Sequence, residues 1–456
     1  MSADGFEALA VPPGVQVAAT TPEWVAELCQ RLQDAGGALA RRDAPSIAAA
    51  LGRVGERFLD GGDPLRKEAL ERLPSTSGLS SEMAAAVLDG MAADWTGARL
   101  AALLRAELGE PCALDGFVER GESRVLAIGP RLCVQIVAGS VPGVGVTALL
   151  RSLLVKGPTL LKPGGGDVVL PVLFARALAE ADPVLGAAAA VVYWPGGSRA
   201  LEGAALKRAD VATAYGSDAT VGELRARTPV TARFVAYHHR VSVGVVGREA
   251  LGPAALERTA SEVARALALF DQRGCVSPQL VYVERGGQSG GGRSPQAFAE
   301  ALAGALRALE HTLPTGALDA AEASALHQAR GTAELMAGHG GSGEARVFHG
   351  GPAAWTVLYE PEPQSLPPLA GRFARVRPLE SLERLPQRLE PLRGHLQTVG
   401  YAGLGPRVEA LARELGRMGA VRVTPFAAVP FPPPWWHHDG RGPLGELVRW
   451  VDLEPG

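Results

Sequence analysis

From Arg131 onward, short apolar runs alternate with stretches of helical periodicity. The run LCVQIVAG at 132–139 is typical of a buried strand, and the helix-like stretch TALLRSLLVKG follows it. Further apolar runs are PTLLKP, AAVVYWPGG, ADVATAYGS, ARFVAY and VSVGVVG, several of them separated by helix-like segments. Strands that alternate with helices form parallel βαβ units, so this pattern predicts a doubly wound α/β domain over 130–250.

A second α/β unit is predicted beyond this domain. The amphipathic stretch PAALERTASEVARALALF at 253–270 predicts a helix that leads to Cys275, and LVYVE at 280–284 predicts a strand. The Gly/Ser-rich stretch at 286–295 predicts a surface loop. The remaining predicted helices and strands are helices at 296–312, 318–338 and 405–418, and strands at 345–349, 354–359 and 372–377.

These patterns divide the chain into four parts. We predict a helical N-terminal region at 1–125, a nucleotide-binding α/β domain at 126–252, a catalytic α/β domain at 253–425 and a C-terminal tail at 426–456. The tail sequence PFAAVPFPPPWWHHDGRGPLGELVRW is rich in proline at first and then predicts a helix.

Charge and cysteine content exclude several classes of protein. The 456 residues include 45 basic and 48 acidic ones mixed along the chain, so nucleic acid is not an expected partner. The four cysteines are scattered without a C-x-x-C pair, which argues against a disulfide framework and against a thiolate metal site. Since no apolar run reaches the roughly 18 residues of a membrane span and no basic leader starts the chain, we expect a cytoplasmic protein.

Cys275 is the first candidate for chemistry. It follows the predicted helix and precedes a predicted strand in FDQRGCVSPQLVYVE, with Gly274 beside it. A thiol in such a loop can be a nucleophile that divides one difficult acyl transfer into two easier ones. The alternative is an inert buried cysteine, which Cys29 and Cys133 fit.

Two features suit a phosphate-bearing ligand. The stretch Tyr215–Gly222 follows a predicted strand and opens a helix, whose free N–H groups can hold a pyrophosphate, although it also fits an ordinary helix cap. Lys162 ends another strand, and it is one of only four lysines in the chain. Its charge there can hold a ribose hydroxyl or a phosphate, or it can be a solvated loop lysine.

The histidine and tryptophan pairs carry weaker signals. Because adjacent residues of a strand point to opposite faces, neither His238-His239 nor His437-His438 forms a chelate, and we expect no metal. His238 or His239 is a candidate proton donor, with a structural histidine as the alternative. Trp435 and Trp436 fit a packed tail or, alternatively, a platform for an acyl chain.

Taken together, the order and spacing of several segments resemble the LuxC-type fatty acyl-CoA reductases, a branch of the aldehyde dehydrogenase superfamily. The resemblance spans about 90–455. The segments that carry it are MAADWTGARL, AGSVPGVGVTALLRSLLVKGPTLLKPGGGD, WPGGSRALEGAALKRADVATAYGSD, FDQRGCVSPQLVYVE, HLQTVGYAG and WWHHDGRGPLGELVRWVDLE. It implies an aldehyde dehydrogenase-like fold with two doubly wound α/β domains, a helical N-terminal region and a small C-terminal or oligomerisation segment.

The resemblance also implies roles for individual residues and a reaction. Cys275 would accept the acyl group, and the cofactor would lie against Lys162, Gly196, Gly216, Ser217 and Gly222. A fatty acyl-CoA or acyl-protein donor would acylate the thiol, and hydride from NADPH, with NADH as the alternative, would release a fatty aldehyde. An acyl-transferring synthetase or transferase partner and a homo-oligomer are further implications.

Two positions depart from the superfamily pattern. Where the superfamily often has an Asn before an apolar residue and Pro, this chain has Ser140-Val141-Pro142, so Ser140 is the candidate side-chain donor to the oxyanion. Where oxidising members carry a water-activating glutamate, this chain has His238-His239-Arg240. The lack of that base suits an enzyme that must protect its thioester from hydrolysis.

Two other interpretations stay open. The chain can be an aldehyde dehydrogenase of another acylating or oxidising type, or a catalytically silent nucleotide-binding subunit. The sequence leaves undecided the acyl chain length, the acyl-CoA or carrier-protein donor, the NADPH or NADH preference and the oligomer number.

Overall fold

The computed structural model describes residues 9–10, 20–109, 111–286, 294–338, 345–351, 354–361 and 369–455. Residues 287–293, most of the predicted Gly/Ser-rich loop, lie outside the described part. The chain forms two compact units. The first contains residues 1–77, 85–238 and 433–456, and the second contains 78–84 and 239–432.

Fifteen α-helices and sixteen strands are found in the described part of the chain. The helices are α1 Pro22–Ala40, α2 Ala44–Arg57, α3 Pro64–Ser77, α4 Ser81–Ala92, α5 Gly97–Leu108, α6 Val144–Leu154, α7 Val169–Ala181, α8 Pro183–Ala187, α9 Arg199–Leu206, α10 Asp218–Arg227, α11 Pro253–Ala268, α12 Pro295–Glu310, α13 Ala320–Gly338, α14 Leu385–Leu389 and α15 Val408–Arg417. The strands are β1 Leu9–Ala10, β2 Val118–Arg120, β3 Ser123–Ile128, β4 Cys133–Ile136, β5 Thr159–Lys162, β6 Ala189–Val192, β7 Val211–Tyr215, β8 Arg233–Tyr237, β9 Val241–Val246, β10 Pro278–Glu284, β11 Arg346–His349, β12 Thr356–Tyr359, β13 Phe373–Leu379, β14 Leu396–Ala402, β15 Arg422–Pro425 and β16 Arg449–Leu453.

The first unit is built on a six-stranded sheet of order β1-β6-β5-β4-β7-β8. Its five main strands are parallel, and β1 is antiparallel to β6. On one face Val134 and Ile136 pack in a common core with α1, α9 and α10. On the other face the side chain of Gln135 donates to Ser152 of α6. Helices on both faces of a parallel sheet confirm the predicted doubly wound unit.

Helices α1 to α5 fill most of the predicted helical region at 1–125, whereas residues 9–10, 118–120 and 123–125 of it belong to strands β1, β2 and β3. Helix α1 begins where Thr21 accepts a hydrogen bond from the Trp24 N–H at 3.2 Å and Pro22 occupies the first turn. Helix α2 begins in the same way at Asp43, which accepts from the Ser46 N–H. Helix α1 buries Val25, Leu28 and Leu32 in the core of the six-stranded sheet. The helical region belongs to the first unit except for residues 78–84, which belong to the second.

The C-terminal tail ends in a strand, so the predicted terminal helix is wrong. Strand β16 pairs with β3, which also pairs with β2, in an antiparallel three-stranded sheet. Five consecutive pairs, from Arg449 with Ile128 to Leu453 with Arg124, form the β16–β3 ladder. The partner strand lies more than 300 positions away in the sequence, so helical spacing within the tail gave no sign of it.

The second unit is built on a seven-stranded sheet of order β11-β12-β13-β10-β9-β14-β15, in which only β11 is antiparallel to its neighbour. One face packs against α11 and α12, and the other packs against α14 and α15. Strand β9 differs from the sequence prediction, which placed 241–246 in the nucleotide-binding domain. Its parallel partners are β10 and β14, so it belongs to the second sheet.

Within the described residues, no helix combines the length and the hydrophobicity needed to cross a membrane.

Candidate active site

The predicted cofactor residues meet at one edge of the first sheet. Strands β4 to β8 are parallel. Lys162 is the last residue of β5, and the segments that follow the other four strands carry Ser140, Gly196, Gly216-Ser217 and His238. In the sheet Ile136 pairs with Lys162 on one side and with Ala214 on the other, so these strand ends are aligned. The order of the strands reverses at β4, where doubly wound sheets bind ligands.

Lys162 is buried at this edge, so the alternative of a solvated loop lysine is wrong. It is 7% exposed, and its Nζ lies 5.8 Å from the centroid of the Tyr193 ring. Burial lowers the pKa of Lys162, while the carboxylate of Glu202 raises it. This ammonium group donates no hydrogen bond to any of the described residues. It can therefore donate to an anionic or hydroxyl group of a ligand.

The loops after β4 and β5 touch through glycines. A methyl group built on Gly164 would lie 2.1 Å from the Gly139 nitrogen, and one on Gly139 would lie 2.8 Å from the carbonyl carbon of Gly164. Only glycine permits this approach. The contact brings the backbone that precedes Ser140 close to the loop that follows Lys162, and Ser140 itself is exposed.

Ser217 caps helix α10. Its hydroxyl accepts from the Thr220 N–H at 3.3 Å and lies 3.0 Å from the Thr220 Oγ1. The helix-cap interpretation of Ser217 is therefore confirmed. A methyl group on Gly196 or Gly222 would meet no described atom within 4 Å, so the surface beside both glycines has room for a ligand.

Asp167 anchors the beginning of helix α6. The fully buried carboxylate accepts from the N–H groups of Gly143 at 2.7 Å and Gly145 at 2.6 Å. Burial raises the pKa of Asp167 to about 7, although the two backbone hydrogen bonds lower it. The loop that contains Ser140 is thus tied to the loop after Lys162 by a carboxyl group that titrates near neutrality.

We expect Asp167 to make the stability of the fold depend on pH. Because its pKa in the folded state is about 7 and in an unfolded chain about 4, its contribution is complete below about pH 4 and is lost as the pH rises through 7. Urea unfolding of wild type and Asp167→Asn measures the effect. The free energy of unfolding of wild type minus that of the variant should fall between about pH 4 and pH 7; a constant difference would contradict the assignment.

His238 follows β8 and lies against the start of α10. Its Nδ1 is 3.5 Å from a carboxylate oxygen of Asp218, and its side chain is 32% exposed. Asp218 is in the first turn of α10, where the helix dipole stabilises a negative charge. His238 is therefore at the same sheet edge as the predicted cofactor residues, and its role as a proton donor stays a prediction.

The tail residues form a ring stack that the sequence did not reveal. Tyr215 stacks on Tyr237 at 4.3 Å, Tyr237 on His438 at 4.5 Å and His438 on Trp436 at 4.7 Å. The Arg99 guanidinium lies 4.5 Å from the Trp435 ring centroid. These contacts support the interpretation of both tryptophans as a packed tail.

Cys275 is in the second unit, in the loop between α11 and β10, and it is exposed. Its carbonyl accepts a hydrogen bond from the Ser242 hydroxyl at 2.6 Å, and Ser242 in turn accepts from the Thr398 N–H at 3.1 Å. The Gln397 Nε2 lies 3.8 Å from the Cys275 sulfur, within hydrogen-bond reach of it. Two neighbouring strands therefore hold the backbone and the sulfur of this residue.

A left-handed turn leads to Cys275. Phe270, Asp271 and Gln272 have φ values of 61°, 47° and 62°, a conformation that costs non-glycine residues about 1–3 kcal/mol each. Buried side chains hold the turn. Arg372 pairs with Asp271 at 2.8 Å, and the Gln272 amide exchanges hydrogen bonds with the backbone of Phe373. The segment that precedes Cys275 is thus fixed by contacts with Phe373 of β13 and with Arg372, the residue before it.

Cys29 and Cys133 fit the structural interpretation. Both are fully buried. Burial raises the pKa of each thiol to about 12, so neither is a thiolate near neutral pH.

Several site residues escaped the sequence analysis. Ser242 and Gln397 are on strands that contact Cys275 only in the folded sheet, and Arg372 pairs with Asp271 across 101 positions of sequence. The stretch HLQTVGYAG, which contains Gln397, was part of the resemblance, but nothing in its composition assigned a role to this glutamine.

The fold is that of the aldehyde dehydrogenases. An NAD-dependent aldehyde dehydrogenase from Sinorhizobium meliloti superimposes with a TM-score of 0.73 and 16% identity, covering 95% of this chain and 87% of that one. Aldehyde dehydrogenase C from Pseudomonas syringae, in complex with NAD+ and octanal, superimposes with a TM-score of 0.71 and 15% identity, covering 95% and 89%. The predicted fold class is confirmed.

Within that class the chain belongs to the LuxC family, described as acyl-CoA reductase, whose sequence model matches residues 42–450. It is 26% identical over 238 residues to the long-chain acyl-protein thioester reductase of Aliivibrio fischeri, covering 50% of this chain and 48% of the relative. The protein of the same description from Photorhabdus luminescens is 25% identical over 281 residues, covering 60% and 55%. The matched part spans about half the length of these relatives.

Proposed function

We propose that this protein reduces a long-chain acyl thioester to the aldehyde through an acyl-Cys275 intermediate. The observation that carries the proposal is that Cys275 is exposed while its backbone carbonyl is held by a hydrogen bond from the Ser242 hydroxyl. Membership of the LuxC family and the description of its relatives as long-chain acyl-protein thioester reductases support the substrate class.

The reaction divides into two balanced steps. First, the Cys275 thiolate attacks the carbonyl carbon of the donor thioester, the donor C–S bond breaks, and the donor leaves as a thiol after it takes up a proton. Second, the acyl carbon on Cys275 gains a hydride, the C–S bond to Cys275 breaks, and aldehyde and the Cys275 thiolate are formed. The Cys275 N–H is the proposed backbone donor to the oxygen that becomes negative in both steps, and Ser140 stays the proposed side-chain donor to it. His238 stays a proposed proton donor.

The lack of a carboxylate at 238–240 supports reduction over hydrolysis. In this stretch the Arg240 guanidinium donates hydrogen bonds to the backbone carbonyls of Gly394 and Leu396, at 2.9 and 3.2 Å, and so stabilises the backbone there. A thioester without a neighbouring water-activating base survives until hydride arrives.

The first unit offers a site that suits a nicotinamide dinucleotide. Such a cofactor supplies the hydride when it is bound. We propose that Lys162 holds the adenosine ribose or its phosphate and that the surface of Gly196, Gly216, Ser217 and Gly222 faces the pyrophosphate. The buried ammonium of Lys162 and the empty space beside Gly196 and Gly222 fit this group. The positive charge of Lys162 favours NADPH, with its additional phosphate, over NADH.

Replacing Lys162 by methionine tests this assignment. We expect the KM for NADPH to rise about tenfold or more and the KM for NADH to rise less, because a charge-assisted hydrogen bond to the phosphate is lost. Lys207→Met, which changes an exposed lysine of the same unit, is the matched control and should leave both values unchanged. Equal increases for both cofactors would contradict a contact with the phosphate.

The acyl donor is proposed from the same relatives. A fatty acyl-CoA or a carrier or synthetase that presents a long acyl chain as a thioester fits the chemistry of Cys275. We also propose that the protein acts with an acyl-transferring partner and as a homo-oligomer, since both follow from its family resemblance.

The mass of the intact protein tests the whole proposal. Purified protein is mixed with hexadecanoyl-CoA. One portion is digested to locate any adduct, and another portion, left intact, is treated with NADPH or NADH. We expect an acyl adduct on the Cys275 peptide that the reduced cofactor discharges as hexadecanal. Discharge as free fatty acid would favour a hydrolytic or oxidising enzyme. No adduct with acyl-CoA or with an acylated carrier protein would favour a catalytically silent subunit.

A further inference from the structure

Gln397 is a fully buried side chain whose amide nitrogen lies 3.8 Å from the Cys275 sulfur. We propose that Gln397 is a catalytic residue that donates a hydrogen bond to the Cys275 thiolate and stabilises its negative charge. The proposal rests on the proposed function, because both take the Cys275 sulfur as the nucleophile.

An irregularity in β14 brings this amide to the sulfur. The β14–β9 register shifts between Leu396 and Val399, so Gln397 and Thr398 lie in the irregular stretch. The Thr398 N–H donates to the Ser242 hydroxyl, a side chain of β9. Bulges of this kind redirect side chains beside functional sites. Here the same irregularity directs the Gln397 amide to the sulfur and, through Ser242, holds the Cys275 carbonyl.

The contact also restricts the position of the sulfur. Cys275 is exposed, whereas Gln397 is buried on β14, which is paired on both sides, with β9 and with β15. A donor on a rigid strand that is already desolvated loses little side-chain entropy when it bonds to the thiolate. An amide also keeps its protons near neutral pH, so it stabilises the thiolate without protonating it.

A hydrogen bond to the charged form favours that form. We therefore expect the wild-type Cys275 thiol to ionise below the value of about 8.5 of a free cysteine. The proton passes to water or buffer, since the sulfur is exposed. Thiolate formation would then precede contact with the acyl donor.

The test measures the rate of alkylation of Cys275 by iodoacetamide against pH, with the modified peptide identified by mass spectrometry. Gln397→Met keeps the length of the side chain and removes the donor. Gln397→Glu keeps the shape and puts a negative charge at the sulfur. We expect the pH midpoint to rise by about one unit in the methionine variant and further in the glutamate variant. Gln387→Met, which changes an exposed glutamine of the same unit, should leave it unchanged.

The wild-type protein gives an answer even if the variants fail to fold. The thiolate absorbance of wild type minus that of Cys275→Ala, followed against pH, should show a midpoint below about 8.5. A wild-type midpoint at or above this value, or unchanged midpoints in both folded Gln397 variants, would overturn the proposal. Alkylation needs no acyl substrate, so this result is separate from a failure to form the acyl adduct.

Discussion

Aldehyde formation from an acyl thioester should fall by at least about a thousandfold when Cys275 is replaced by alanine, because the covalent route is lost. Cofactor binding should stay unchanged, since the proposed cofactor residues belong to the first unit and Cys275 to the second. The measurement is the steady-state rate of aldehyde release with NADPH, together with the affinity for NADPH from its fluorescence. Cys275→Ser should give a residual rate between those of wild type and alanine, because a hydroxyl is a weaker nucleophile than a thiolate.

A second cysteine provides the control. Cys29 is buried in α1, and burial raises the pKa of its thiol to about 12. Cys29→Ala should therefore retain the full rate per folded molecule. Aldehyde release by Cys275→Ala at a rate close to that of wild type would refute the assignment of the nucleophile.

Replacing Arg372 by methionine should destabilise the second unit by about 3–5 kcal/mol. The guanidinium and the Asp271 carboxylate are both fully buried, and Arg372 also donates to Glu310 at 2.9 Å. When the arginine is removed, the Asp271 carboxylate stays buried but has lost its cation. The backbone around it is already strained. Urea or thermal unfolding measures the loss, and slower alkylation of Cys275 would show that the loop before it has moved.

The pH dependence of this variant gives a second readout. Burial raises the pKa of Asp271, while Arg372 lowers it. Removing the arginine therefore raises this pKa further, so the carboxyl group becomes protonated at higher pH and the destabilisation should shrink as the pH falls. Arg413→Met, which breaks an exposed pair with Glu409 on α15, should cause no measurable loss. Equal effects of the two substitutions would contradict a role for the buried pair.

The alternation of apolar runs and helical stretches was sufficient to predict the fold class. Residues 133–136 and 253–268 form the predicted strand and helix because apolar periodicity is a local property of the chain. The predicted cofactor residues also lie at one sheet edge, since the carboxyl ends of parallel strands meet there. Family membership followed from the order of short segments along the chain.

Only the tertiary structure decided which distant segments pair as strands and which distant side chains are in contact. The sequence did not show that β9 belongs to the second sheet or that the tail ends in β16, because a strand's partner depends on contacts far along the chain. The same holds for Arg372 with Asp271 and for Gln397 with Cys275, which are 101 and 122 positions apart. By itself the sequence determined most of the helices and strands, though not the terminal strand β16, and which thiol is the candidate nucleophile. Only the folded chain decided which side chains hold that thiol, because buried pairing and hydrogen bonding require groups that chain folding brings together.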